Sequence, residues 1–283
     1  LSLALARNQT HEGGFTPFNF EVTALLRPQG NFLVVKADNS RRAEAVPGIS
    51  TDWWNYGGIT RDVTLIDEPA VFVRDQVLQM KPGSAHTLAG WVQLDGAAAG
   101  EPVTLRIAEL GVETTMAADA SGLARFEVDA PGLLRWSPAM PRLYEVVVAT
   151  RFQALREPIG FRQIETRGAE ILLNGKPVFL RGISLHDEAT LEGRRAHSEA
   201  DALQALTWAK ALGCNYVRLS HYPHQEHIVR LADRLGLLVW EEIPVYWTID
   251  FKHPAALASA RQQLAEMITR ARNRASVIIW SVA

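Results

Sequence analysis

From about residue 162 onward, short β-prone runs alternate with amphipathic stretches, and each of the first three runs ends in polar side chains. That repetition constrains the fold most, because strand–helix–strand units build a parallel sheet with helices packed on it. The run Asn215 to Pro223, NYVRLSHYP, shows the pattern best. Val217 and Leu219 project to one side of a strand, and Tyr216, Arg218 and Ser220 to the other. Pro223 ends the ladder, so Arg218 and His221 stand at the strand's carboxyl end. An ordinary buried strand whose arginine pairs with a neighbouring carboxylate reads the same way in isolation. The flanking runs decide.

The preceding run begins at Phe179, after a hairpin turn at Asn174-Gly175-Lys176-Pro177, and ends in His186, Asp187 and Glu188. Ser198 and Asp201 predict a capping box on a helix that buries Ala202, Leu206 and Ala209 and stops at Gly213. The next helix carries Ile228, Leu231, Ala232 and Leu235 at helical spacing and ends at Gly236. A third run, Leu237 to Glu242, closes on Ile243-Pro244 with Glu241 and Glu242 at its end. A third helix presents Leu257, Ala260, Leu264, Met267, Ile268 and Ala271, and a fourth run spans Val277 to Val282. Polar clusters at successive carboxyl ends favour the first half of an open-topped TIM (β/α)8 barrel over residues 166–283. Half a barrel leaves two sheet edges unpaired. The chain is therefore expected to be a fragment.

Residues 1–67 read as β structure, with Phe18, Phe20 and Val22 alternating with polar neighbours and an apolar run from Phe32 to Val35. Within DWWNYGGITRDV (Asp52 to Val63), two tryptophans and a tyrosine sit beside a carboxylate. Such a group suits a sugar, whose ring face is apolar and whose edge is hydroxylated. Large aromatics more often pack between domains, which accounts for Trp53, Trp54 and Tyr56 but not for Asp52. Residues 68–165 repeat short alternating stretches, such as Leu88 to Leu94 and Val103 to Ile107, between glycine turns. About seven strands at this spacing fit an immunoglobulin-like β-sandwich without a disulfide. It carries no chemistry.

A chain of 283 residues with a formal net charge of -2 and no basic run argues against nucleic acid as a partner, and no apolar stretch is long enough to span a membrane. The single cysteine, Cys214, excludes an internal disulfide and a cysteine-based zinc site. Its place between a helix and a strand suits a small buried thiol.

Five motifs in order resemble the glycoside hydrolases of family 2: HEGGFTPFNFEVT (His11 to Thr23), DWWNYGGITRDV, LNGKPVFLRGISLHDEA (Leu173 to Ala189), NYVRLSHYP and SVIIWSVA (Ser276 to Ala283). That family holds β-galactosidases, β-glucuronidases and β-mannosidases. The resemblance implies part of a sugar-binding jelly-roll domain (1–67), an immunoglobulin-like domain (68–165) and the first half of a TIM barrel (166–283). It implies retaining hydrolysis of terminal β-glycosides by two glutamates. Both are expected beyond Ala283, so no catalytic residue is assigned and the chain alone is expected to be inactive. Substrate-binding roles fall on Asp52, His186, His221 and Glu242, with Arg218 and Asp187 in support. Tyr246 stands where some galactosidases of the family place a magnesium-binding glutamate, so no metal and no other cofactor is expected. The implied partner is a carbohydrate, and the longer protein is compatible with homo-oligomerisation.

Two other readings compete. A carbohydrate-binding protein without catalysis would use the Asp52 segment and the sandwich alone. A metallohydrolase would use His221, His224 and His227, but the last two are expected at the start of a helix, as solvated side chains facing away from the strand end.

Overall fold

The computed structural model describes residues 9–96 and 99–282. Leu1 to Asn8, which open the expected first domain, and Ala283, which closes the last motif, lie outside the described residues.

Alternating apolar residues drive the middle of the chain into strands β1 (Phe72–Met80), β2 (Thr87–Asp95), β3 (Pro102–Ile107), β4 (Val112–Ala117), β5 (Leu123–Asp129), β6 (Tyr144–Ala149) and β7 (Ala154–Ile159). They form two antiparallel sheets, ordered β1-β2-β5 and β4-β3-β6-β7. Leu88, Val92 and Leu94 from one sheet and Val103, Leu105, Ile107, Val146 and Val148 from the other form one buried cluster. Burying such a side chain contributes about 1.5–3 kcal/mol. The seven expected strands are present as a two-sheet sandwich.

A small sheet of β8 (Ile164–Arg167), β9 (Glu170–Leu173) and β10 (Lys176–Pro177) follows. Asn174 and Gly175 carry φ of 55° and 80°, the paired left-handed conformation of a two-residue hairpin turn. Next come β11 (Gly182–Leu185), the short hairpin β12 (Glu188–Ala189) and β13 (Arg194–Arg195), α1 (Glu199–Ala211), β14 (Tyr216–Leu219), α2 (Glu226–Leu235), β15 (Leu238–Glu242), α3 (Pro254–Ala271) and β16 (Val277–Ser281). β11, β14, β15 and β16 pair in parallel in that order, with Leu185, Leu219 and Glu241 level with one another across the first three strands. Among the described residues, these four parallel strands have no further strand at either edge and make part of a barrel.

Local chemistry sets the helix ends. Ser198 and Asp201 form the expected capping box on α1, and Gly236 ends α2 in the left-handed region. Val217, Leu219 and Val239 bury against Ala202, Leu206, Ile228 and Leu231 of the helices. The face of α3 differs from expectation. Its buried residues are Ala256, Ser259, Gln263, Met267 and Ala271, while Leu257 is exposed. The reason is the N-terminal segment packed on that face: the Gln263 amide donates to the Val46 carbonyl at 2.8 Å and to Ser259 Oγ at 3.0 Å.

The first segment departs most. Between residues 9 and 67 the only regular element among the described residues is a 3-10 turn, Thr23–Leu25. The strands expected at Phe18 to Val22 and Phe32 to Val35 do not form. A strand needs a neighbour to complete its ladder; no described residue pairs with either stretch in a ladder, and Phe32, Leu33 and Val34 stay 73–79% exposed. Side chains hold this segment in place instead. Phe15, Val46 and Trp53 are buried, and the backbone at Gly48 runs so close to Thr248 that a Cβ would lie 1.9 Å from its carbonyl oxygen.

A buried polar network joins the sandwich to the parallel sheet. Trp136, fully buried, donates Nε1–H to the Asp233 carbonyl at 2.8 Å. Asp233 Oδ1 accepts from the Ser276 amide at 2.7 Å, and Oδ2 lies 3.4 Å from Arg274, which also pairs with Glu157 on β7. Arg162 donates to the Ala275 and Val277 carbonyls. A cavity of about 210 Å³ between β1, β7 and α3 is lined by the same Glu157 and Arg274, so it belongs to this junction. Removing one member of a buried ion pair strands the other. Asp233→Ala is expected to lower stability by about 3 kcal/mol, read as a reduced urea midpoint with the slope unchanged. A loss below about 1 kcal/mol would show that Glu157 alone is enough to satisfy Arg274.

Candidate functional site

The site is built around Glu242, fully buried as the last residue of β15. A carboxylate there requires charged partners, and the neighbouring strand supplies them. Arg218 on β14 donates from Nε to Oε2 and from Nη2 to Oε1, both at 2.8 Å, and its guanidinium lies over the Trp240 ring. His221, just past the end of β14, places Nδ1 2.9 Å from Glu242 Oε1. A carboxylate only accepts, so Nδ1 carries the proton and Nε2 is left for a ligand. The Ser220–His221 peptide bond is cis.

His186, at the end of β11, lies beside this trio with its ring centroid 5.6 Å from that of His221. Its Nδ1 is 3.5 Å from the hydroxyl of Tyr222, which accepts from the Asp187 amide at 3.3 Å. Burial, then the neighbouring His221, holds the His186 imidazole below its usual pKa.

The N-terminal segment completes the site from the other side. Asp52 Oδ2 accepts from the Tyr246 hydroxyl at 2.7 Å. Burial, then that hydrogen bond, pushes the Tyr246 hydroxyl up to about 12. Trp53, next in sequence, is buried, with its ring 5.1 Å from Tyr246, 5.2 Å from Tyr222, 5.9 Å from His221 and 6.5 Å from His186. One ligand atom from each of Asp52, His186 and His221 falls within 4.8 Å of the others. Asp52, His186, His221, Glu242 and Arg218 thus converge although they come from four separate stretches of chain.

Asp187 takes a different position. It is buried beside the His186 end of this cluster and holds Arg61 at 3.0 Å and Arg195 at 3.3 Å. Arg61 also donates to the carbonyls of Phe15 and Pro223, tying the N-terminal segment to the loop after β14. Burial brings its guanidinium down to about 10, which leaves it charged at neutral pH. Arg195 lies 5.0 Å from the rings of both Phe15 and Tyr222, which are stacked on each other.

Glu241 faces the helices, as strand alternation requires. It pairs with Arg270 of α3, and burial raises its pKa. His224 is not the solvated helix side chain that was expected. It precedes α2 and is fully buried because the loop folds inward, with Nε2–H donating to the Ser220 carbonyl at 3.0 Å and Nδ1 unpaired. Sequence reasoning missed Arg61 and Arg195, which carry no local signal. Tyr246 had one: it closely follows Glu242, in the loop at a strand's carboxyl end, and it meets Asp52, Trp53 and His221.

The buried imidazole of His224 gives a pH dependence with a definite sign. Burial draws its pKa down to about 4, below its ordinary value of about 6.5. Between these values the unfolded chain binds more protons, so stability is complete above pH ~6.5 and falls as pH drops toward ~4. The full loss is on the order of 3 kcal/mol. In urea melts between pH 7 and pH 4.5, His224→Gln is expected to flatten this dependence; an unchanged slope would place the titrating group elsewhere.

Residues 164–283 match the family described as "Glycosyl hydrolases family 2, TIM barrel domain". The chain is 31% identical over 272 residues to a β-galactosidase of Arthrobacter sp. (strain B7), covering 93% of this chain and 26% of that protein. Among solved structures it is similar to the β-glucuronidase of Parabacteroides merdae, with a TM-score of 0.72, 28% identity, and 87% and 32% of the two chains covered. It is also similar to a β-galacturonidase of Eisenbergiella tayi bound to galacturonate, with a TM-score of 0.74, 25% identity, and 87% and 46% covered. The chain spans about a quarter to a half of the length of these proteins.

Proposed function

We propose, from the match of residues 164–283 to the TIM barrel domain of the family 2 glycosyl hydrolases, that this chain forms the sugar-pocket portion of a retaining exo-β-glycosidase acting on a terminal β-galactoside or β-glucuronide. The observation that carries the reading is the convergence of Asp52, His186 and His221 beside the ring of Trp53. The aromatic surface suits the apolar face of a pyranose, and the carboxylate and imidazoles suit its hydroxyls.

In this reading Asp52 accepts from a sugar hydroxyl while Tyr246 fixes its orientation. His186 and His221 bind hydroxyls through their remaining ring nitrogens, and Glu242 holds His221 in one tautomer. Arg218 balances the charge of Glu242, so the histidine meets a neutral pair. The acid/base and nucleophilic glutamates of a retaining mechanism are assigned to no residue of this chain. The proposal also gives residues 1–67 to a sugar-binding jelly-roll domain, 68–165 to an immunoglobulin-like domain and 166–283 to the first half of the barrel.

The test uses the complete protein that contains this chain, with chromogenic β-galactosides and β-glucuronides. Asp52→Ala removes a charged hydrogen-bond acceptor worth about 1.5–3 kcal/mol, so kcat/KM should fall by about 10- to 100-fold with the melting temperature unchanged. Unaltered kinetics would remove Asp52 from the pocket. Sugar binding without turnover would favour a carbohydrate-binding protein.

A further inference from the structure

We propose that Asp52, His186 and His221 form a chelating site for a borderline divalent transition-metal ion, such as Zn²⁺, and that the ion competes with a sugar for the pocket. The donor set comes first. Two imidazoles and one carboxylate match the preferences of Zn²⁺, Co²⁺, Ni²⁺ or Cu²⁺, whereas Mg²⁺ and Ca²⁺ favour all-oxygen shells. One ligand atom from each residue already lies within 4.8 Å of the other two. Bonds of about 2.0–2.2 Å in a tetrahedral site place ligand atoms about 3.4 Å apart, so closure needs about 1 Å of side-chain movement. Asp52 is exposed, so rotation of its side chain about the Tyr246 hydrogen bond can supply that movement.

The groups behind the ligands are those a metal site uses. A ligating histidine commonly gives its second ring nitrogen to a carboxylate, which fixes the ring and makes the ligand more basic. His221 does so with Glu242 at 2.9 Å, and Arg218 clamps that carboxylate with two bonds. His186 turns Nδ1 toward the Tyr222 hydroxyl. Asp52 has one oxygen held by Tyr246 at 2.7 Å and keeps the other for the ion. Three protein ligands leave a fourth position for water, and Trp53 packs against both histidines and Tyr246.

Cobalt is the direct probe, because four-coordinate Co²⁺ absorbs in the visible and octahedral aqueous Co²⁺ scarcely does. The complete protein, stripped with a chelator, is titrated with Co²⁺ and then Zn²⁺ near neutral pH. One equivalent of Co²⁺ should develop the band, and one equivalent of Zn²⁺ should abolish it. Asp52→Asn, His186→Ala and His221→Ala should each weaken binding at least 10-fold, while His227→Ala should not. Circular dichroism of each variant checks folding, and Asp52→Asn keeps the test open where a histidine variant misfolds. No band in the wild type, or a band that survives in all three ligand variants, overturns the site. Competition with sugar rests on the proposed glycosidase reading and is tested separately. Zn²⁺ should raise KM without lowering kcat, and Mg²⁺ should do neither. Metal binding with undisturbed hydrolysis overturns the shared pocket. If no metal binds but Asp52→Ala still loses activity, the metal site fails and the glycosidase reading stands.

Discussion

A buried carboxylate at the end of β15 sets the terms for everything around it. Glu242 has no exposure to water, so its charge must be balanced by protein. Arg218 supplies the balance from the adjacent strand, and His221 supplies a third hydrogen bond. In-register parallel pairing of β14 with β15 brings these groups together. Register is therefore also a chemical constraint, because a slip of one residue would turn Glu242 toward the helices and Glu241 toward the pocket. Each glutamate has its own arginine, Arg218 on the pocket side and Arg270 on the helix side. The pair Glu241-Glu242 is thus two separate ion pairs back to back.

The remainder of the pocket comes from a segment with almost no secondary structure. Asp52 and Trp53 are carried by residues 9–67, which are anchored by side chains: Arg61 on Asp187, Phe15 on Tyr222, Gln263 on Val46. Such anchoring is directional and polar. It positions a few groups well while leaving Phe32 to Val34 largely exposed. Asp187 receives one of these anchors, Arg61, and stands one position from His186. The pocket histidine and the anchor of the opposing segment are thus neighbours on the same strand end.

The parallel sheet and sandwich were legible in the sequence because burial imposes a period. Val217 and Leu219, or Leu88, Val92 and Leu94, repeat as a two-sided strand must, and Ser198 with Asp201 is a local capping signal. The convergence of His186, His221, Arg218 and Glu242 followed from their common place at strand ends. Two kinds of information were illegible. Phe18 to Val22 has the alternation of a strand, but pairing depends on a neighbour that the pattern does not specify. The face of α3 was misjudged because Ser259 and Gln263 are buried by hydrogen bonding, which hydrophobic spacing does not register. His224 failed similarly: its burial is decided by the loop's path and by the Ser220 carbonyl.

Two histidines three residues apart, His221 and His224, show how strongly environment overrides identity. Both follow the same strand and both use one ring nitrogen internally. His221 gives its proton to a carboxylate that an arginine already neutralises, so its other nitrogen is directed and usable. His224 gives its proton to a backbone carbonyl and buries the other nitrogen without a partner, so protonation there opposes folding. One histidine is therefore poised to meet a ligand, whereas the other penalises acid. The difference rests on what the second nitrogen faces.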